Sequence, residues 1–285
     1  MTLTFREATP DDAETCGRIC HEAFAAIAKA HNMGEGMPLP VATSRFKSVI
    51  AHPGFYVVVA ERDGQIIGSN VLDERSVIAG LGPITVDPAA QDARVGRQLM
   101  EHVLARAATT HPAGVRLVQA AYHSRSLALY TQLGFIAREP LSGVQGQLDP
   151  MVIPGTRVRL ATERDLAACN AVCFAVHGHT REGELEDAIA QSTARVVEQA
   201  DEITGYATEL SRTGHAVGRT NRDIKALIGS VQGSFGGPGI LVPTRNAELL
   251  SWCLTHKLRI VSPSTLMTMG LYNEPSGAYL ASILY

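Results

Sequence analysis

The chain has 285 residues, 45% of them apolar and 19% charged, with 25 Lys and Arg against 28 Asp and Glu for a net charge of −3. That length is long for one core and comfortable for two domains. The slightly acidic balance and the lack of a basic run argue against non-specific nucleic-acid binding and against a membrane-surface role.

The opening Met1-Thr2-Leu3-Thr4-Phe5-Arg6-Glu7 lacks the charged and apolar regions of a signal peptide. The longest apolar runs, such as Phe55 to Ala60, are far too short to span a bilayer. Five cysteines in such a chain are expected as reduced thiols, and the expected compartment is the cytoplasm.

Phe5 to Glu7 predicts a short strand, followed by Thr9 as an N-cap, an acidic first turn and an amphipathic helix. The same arrangement returns further on. Arg6/Arg159, Ala8/Ala161, Thr9/Thr162, Asp12/Asp165, Cys16/Cys169 and Cys20/Cys173 all match at an offset of 153. Duplication is the better reading of this match. The paired cysteines, with His21 and His177 close by, could be read as a metal site. Their spacing does not match a zinc pattern, so buried thiols on the core face are expected and no metal.

Ala25 to Ser44, with His31, Gly34, Gly36, Pro38 and Pro40, reads as a loop or broken helix. Gly54 to Ala60 and Gln65 to Leu72 predict a hairpin turned by Arg62-Asp63-Gly64. Asp73-Glu74-Arg75 then leads to a strand ending at Val86. Pro88 stops that strand, a polar loop follows, and a helix opens on Gly96 and runs to about Ala108. Val115 to Ala121 predicts a strand, Ser124 to Leu133 a helix closed at Gly134, and Phe135 to Arg138 the start of another strand. This order implies an α/β domain: a mixed sheet with helices on both faces. The loop before Gly96 feeds a helix N-terminus, where unpaired N–H groups and the positive end of a dipole suit a phosphate or pyrophosphate.

Two motifs of the first half resemble the GCN5-related N-acetyltransferase (GNAT) superfamily. Val86-x-Pro88 followed by Gln91-x-x-Arg94-x-Gly96 is similar to its CoA loop, and Ser126 to Phe135 is similar to its last helix and following strand. The resemblance implies acyl transfer from acetyl-CoA, or another acyl-CoA, to an amine of a small molecule or peptide. Ile84, Thr85 and Val86 would pair with pantetheine as though it were a strand. Gln91, Asp92, Ala93, Arg94, Val95, Gly96 and Arg97 would cradle the pyrophosphate, with His123 and Ser126 also at the CoA site. Tyr130 stands where the family places the acid that protonates the departing thiolate.

The chain departs from that pattern at several places. Arg94 replaces a glycine that permits close approach or positive φ, at a cost of about 1–3 kcal/mol for a strained residue. Asp92 replaces another frequent glycine and sets a negative charge near the phosphates, so weakened CoA binding is expected. Gln119 stands on the strand where some members carry a base, which leaves Asp73 or Glu74 as candidates, Glu74 being carried forward.

Pro150 to Gly155 reads as a linker, which divides the chain into 1–149, an acyl-CoA-binding domain, and 156–285, a degenerate second copy. In that copy Gly239 to Val242, Asn246 to His256 and Leu258 to Val261 predict strand, helix and strand. Asn246 and Cys253 fall where His123 and Tyr130 do, so the tyrosine is missing. Cys253 as a nucleophile would need a lowered pKa and a partner such as His256; a core thiol is the better reading. Gly277 to Tyr285 suits a closing strand, on its own sheet or over an edge of the first.

The implied fold is α/β, two tandem GNAT-like domains, each a mixed, mostly antiparallel sheet flanked by helices. The leading function is an acyl-CoA N-acyltransferase; the rivals are a non-catalytic acyl-CoA-binding or assembly pseudo-enzyme and, more weakly, another nucleotide-binding α/β protein. The oligomeric state stays open, a homodimer included.

Overall fold

The computed structural model describes residues 3–34, 36–91 and 94–284, without the side chains of 236–238. The first half runs β1 (Leu3–Glu7), α1 (Ala13–Ala30), α2 (Leu39–Ala51), β2 (Phe55–Arg62), β3 (Gln65–Asp73), β4 (Ile78–Leu81) and β5 (Thr85–Val86). It continues with α3 (Val95–Thr110), β6 (Gly114–Ala120), α4 (Ser124–Gln132) and β7 (Ile136–Leu148). The second half runs β8 (Arg157–Leu160), α5 (Leu166–His177), α6 (Glu182–Ala190), β9 (Arg195–Gln199), β10 (Glu202–Ala207), β11 (Ala216–Gly218) and α7 (Asn221–Gly229). β12 (Gly233–Pro243), α8 (Ala247–Thr255), β13 (Arg259–Gly270) and β14 (Ala278–Leu280) complete it. Among the described residues no helix is long and apolar enough to cross a membrane.

Strand alternation sorts the first layers. Val57, Val59 and Val71 face α1 and α2 with Cys16, Cys20 and Phe46, whereas Val58, Ala60 and Leu72 face α3 with Leu99, Met100 and Val103. The hairpin of β2 and β3 turns at Asp63 and Gly64, both with positive φ, as its Asp-Gly pair requires.

The two halves build their openings alike. Arg6 pairs with Asp12 and Arg159 with Asp165, each at 2.7 Å, and each aspartate also accepts the backbone N–H of its threonine, Thr9 or Thr162. Cys16, Cys20, Cys169 and Cys173 are fully buried, and burial pushes the thiols of Cys16, Cys20 and Cys169 up to about 12. No group of His, Cys, Asp and Glu among the described residues could hold a metal. These cysteines are core.

Nine strands form the larger sheet, in the order β1-β2-β3-β4-β6-β13-β7-β12 with β5 beside β3; the smaller has the order β14-β11-β10-β9-β8. All the pairings are antiparallel except that of β4 with β6. β13, from the second half, lies between β6 and β7 of the first, while β7 lies between β13 and β12 of the second. Each half therefore lends the other a strand. Met267 of β13 joins the cluster of Leu117, Tyr130 and Phe135, and Leu266 turns the other way onto Leu141 and Leu241. A strand buried on both faces in this way is locked in register.

Several expectations take a more definite form in the structure. Ala25 to Ser44 is the broken helix of the two readings: α1 ends at Ala30 and α2 starts at Leu39. β7 runs on to Leu148 and does not pair with β6. The closing strand is three residues long, it completes the second sheet, and Tyr285 lies outside the described residues. The segment 150–155 falls between β7 and β8.

Candidate functional site

β4 and β6 run parallel through Ile78↔Gly114, Ala79↔Val115 and Gly80↔Arg116, and there the pairing ends. Beyond it the chain swings away to β5, whose Thr85 and Val86 pair with Ser69 and Gly68 of β3. Residues 117–120 of β6 pair on their other edge with β13. The facing edges of 84–86 and 117–120 are thus left unpaired among the described strands, as the walls of a wedge. A polar chain lying in that wedge could hydrogen-bond to exposed backbone, as an added strand would.

The N-terminus of α3 sits at the mouth of the wedge. Among the described residues no side-chain cap satisfies its first turn, so the N–H groups of Val95, Gly96 and Arg97 and the helix dipole are placed to meet an anion. A Cβ added at Gly96 would meet only Val86 Cγ2, at 3.8 Å, so the missing side chain leaves room for a close approach from outside. Gln91 is exposed and reaches the Val86 carbonyl oxygen at 3.5 Å. Arg97 is partly committed, to Glu101 at 3.6 Å and to the Gln132 side chain. Asp92 and Ala93 lie outside the described residues. Arg94 takes φ 58° and ψ 15°, the left-handed conformation that a glycine would adopt freely.

On the other wall, Gln119 is buried, and its Nε2 donates to the carbonyl of His123 at 2.9 Å and to Ser126 Oγ at 3.1 Å. Ser126 Oγ in turn donates to the His123 carbonyl at 3.0 Å. Ser126 therefore helps to fasten the turn from β6 into α4. Gln119 Oε1 is buried without a partner among the described residues, an acceptor that a ligand N–H could satisfy. His123 caps α4 and stands 5.8 Å, ring to ring, from His31; burial lowers its pKa, so its imidazole is neutral near pH 7.

Tyr130 is buried in the cluster of Leu99, Leu117 and Phe135, its ring 6.3 Å from that of Phe135. Desolvation raises its pKa above the ordinary phenol value, so it remains a proton-bearing donor through the neutral range. No hydrogen bond engages its hydroxyl among the described residues.

Glu74 is not brought to this place. Its carboxylate is held by Arg106 at 2.9 and 3.1 Å. Arg106 lies ten residues beyond Gly96 on α3, about 15 Å along the axis. Glu74 also lines a depression of about 380 Å³ with Val77, His111 and Ala113 at that far end. Asp73 is likewise engaged, with Arg75 at 2.6 Å.

The corresponding wedge of the second half is filled. β14 pairs with β11 on one side, and Ala281 bridges to Leu241 of β12 on the other. Cys253 is buried, its thiol is pushed up to about 12, and His256 turns its Nδ1 to the Trp252 carbonyl at 2.7 Å. The nucleophile reading of Cys253 fails on all three counts.

The closing segment, expected on its own sheet or over an edge of the first, pairs in the second sheet and also reaches the first half. Leu284 runs over β4, where a Cβ on Gly80 would overlap its carbonyl oxygen and lie 3.0 Å from its carbonyl carbon. No local signal marks this contact beyond the glycine itself.

Comparison with known proteins agrees with the first-half motifs. Residues 53–137 match the model of the acetyltransferase (GNAT) domain. The chain has no match among curated proteins. A provisionally named acetyltransferase from Pyrococcus horikoshii shares the fold at a TM-score of 0.73, with 20% identity over 97% of this chain and 94% of that one. A GCN5-related N-acetyltransferase from Sphaerobacter thermophilus does so at 0.62, with 16% identity over 95% and 96%. Residues 53–137 are thus similar to an acetyltransferase (GNAT) domain, and nearly the whole chain shares its fold with the two solved structures.

Proposed function

We propose that the protein transfers an acyl group, acetyl in the first instance, from acyl-CoA to an amine of a small molecule or peptide, at the wedge between β5 and β6. The unpaired wedge carries this reading, together with the uncapped N-terminus of α3 at its mouth. Pantetheine would lie along Ile84, Thr85 and Val86. The pyrophosphate would meet the N–H groups of Val95, Gly96 and Arg97. Arg94 and Arg97 would add charge there.

In the transfer the amine nitrogen forms a bond to the thioester carbon, the carbon–sulfur bond breaks, and the thiolate takes a proton. Tyr130 is the donor we assign, and it regains its proton from the amine through solvent. With Glu74 and Asp73 held in ion pairs, no carboxylate is assigned as base. The supply of neutral amine then limits the rate, and kcat/KM should climb with pH toward the pKa of the acceptor.

We read 1–149 and 156–285 as two copies of one unit, the second retained for the strand it lends and for covering the acceptor side. A pseudo-enzyme remains the rival, favoured by Arg94. Release of free thiol from acetyl-CoA over a panel of amines separates the two: turnover supports the transferase, and CoA binding with no turnover on any amine supports the rival.

A further inference from the structure

Arg212 lies in the loop between β10 and β11 and reaches back to the lent strand β13. Its Nη1 donates to Ser262 Oγ at 3.3 Å and its Nη2 to Ser264 Oγ at 3.1 Å. Among the described residues it meets no carboxylate, and the guanidinium fork has further donors to give.

Other inward-lying arginines are matched differently. Arg75 holds Asp73 and Asp187 at 2.6 and 2.7 Å, and Arg181 holds Glu184. Arg116 and Arg138 lie over the Tyr272 ring at 5.4 and 4.9 Å. Arg45 has a buried Nε without a partner, but Asp73 and Glu209 act on it. On Arg212 burial lowers the pKa, and Tyr122 is the group that acts against this. A desolvated cation held by two neutral hydroxyls is costly unless an anion completes it.

The position fits an acceptor. Ser264 sits opposite Ala120, at the wedge end of β6. Ala120 shares a sheet face with Arg116 and Val118, the face away from Tyr130 and α3. Ile283 of the closing segment donates its backbone N–H to the Arg212 carbonyl at 2.9 Å and fixes the loop there. The CoA loop thus lies on one face of the sheet and Arg212 on the other, near the same end of β6.

We propose that Arg212 binds a carboxylate of the acceptor, so that the substrate is an amine that also carries a carboxyl group. This deepens the acyltransferase reading and rests on it. A planar carboxylate matches the guanidinium fork, and Ser262 and Ser264 aim that fork.

The test measures thiol release from acetyl-CoA with matched acceptors: amino acids, their amides, and the amines left when the carboxyl group is removed. The carboxylate forms should show kcat/KM higher by roughly tenfold or more, the scale of one charged hydrogen bond. Arg212→Gln should erase that preference through KM, with CoA affinity by calorimetry unchanged as the measure of an intact fold. Arg212→Lys should keep part of it, and Ser262→Ala should raise KM less than Arg212→Gln does. Equal turnover of amides, or a preference that survives Arg212→Gln, overturns the carboxylate assignment while leaving the transferase intact. A preference for phosphorylated over carboxylated amines overturns it too. No turnover with any acceptor sinks the transferase reading itself, and this proposal with it.

Discussion

The backbone N–H of Ala281 donates to the carbonyl oxygen of Leu241 at 3.1 Å, while the preceding Ala278–Leu280 pairs with β11. The closing segment thereby takes, in the second half, the place that the first half leaves open between β5 and β6. Among the described strands one wedge is open. Calorimetric titration with CoA should give a stoichiometry near one, and a value near two would show that the second wedge opens.

Arg94 holds a left-handed backbone at the mouth of the open wedge. Arg94→Gly should relieve that strain and raise unfolding stability by about 1 kcal/mol, whereas Arg94→Ala should not. Relief of the loop should also tighten CoA, because the glycine lets the backbone close on the pyrophosphate. Weaker CoA binding by Arg94→Gly would mean that the guanidinium contributes more than the strain costs. Denaturant midpoints and calorimetry read the two effects separately.

At Gly80 the closing segment of the second half lies against β4 of the first. A methyl group there would run into the Leu284 carbonyl oxygen, a backbone atom with little freedom to yield. Gly80→Ala should cost roughly 1–3 kcal/mol, the range for overpacking, and should loosen the closing segment. Faster proteolysis near residues 281–284 with a lowered melting temperature is the expected pair of observations. An unchanged melting temperature would show that the segment does not rest on β4.

Three buried histidines of the second half set a pH dependence. Burial lowers the pKa of His177 and His215 and brings that of His179 down to about 4, with Arg116 and Arg181 acting in the same direction on all but the His215–Arg116 pair. The folded chain therefore keeps neutral imidazoles where the unfolded chain binds protons near pH 6.5. This contribution to stability is whole above pH 6.5 and is lost as pH falls toward 4, since the unfolded state takes up more protons. His179 alone should account for about 2 kcal/mol at pH 5. Urea unfolding at pH 7.5 and 5 should show the fall, and His179→Asn should reduce it; a slope unchanged by that substitution would remove His179 as its source.

Local chemistry was legible where local chemistry decides. The Asp63-Gly64 turn, the repeated Arg, Thr, Asp and Cys positions and the loop before Gly96 all owe their conformation to near neighbours, and the positive φ of Arg94 follows from a glycine-shaped place in a pattern. Pairings across the chain were not legible in this way. Nothing in Arg259–Gly270 names Gly114–Ala120 as its neighbour, because a strand with apolar residues on both faces fits any central position of matching register. Glu74 was misplaced for a related reason. Being next to Asp73 in sequence says nothing of Arg106, which lies 32 residues on and takes its carboxylate. Arg212 carried no motif at all, and only the strand exchange brings Ser262 and Ser264 to it.

The central claim is that acyl transfer takes place at the open wedge with Tyr130 as proton donor to the thiolate. Steady-state release of thiol from acetyl-CoA, with an amine that the wild-type protein accepts, tests it most directly when repeated on Tyr130→Phe. The account predicts that CoA affinity is kept while kcat falls by roughly 10²–10⁴, the usual contribution of a positioned acid. A variant that binds CoA and turns over at the wild-type rate would contradict it.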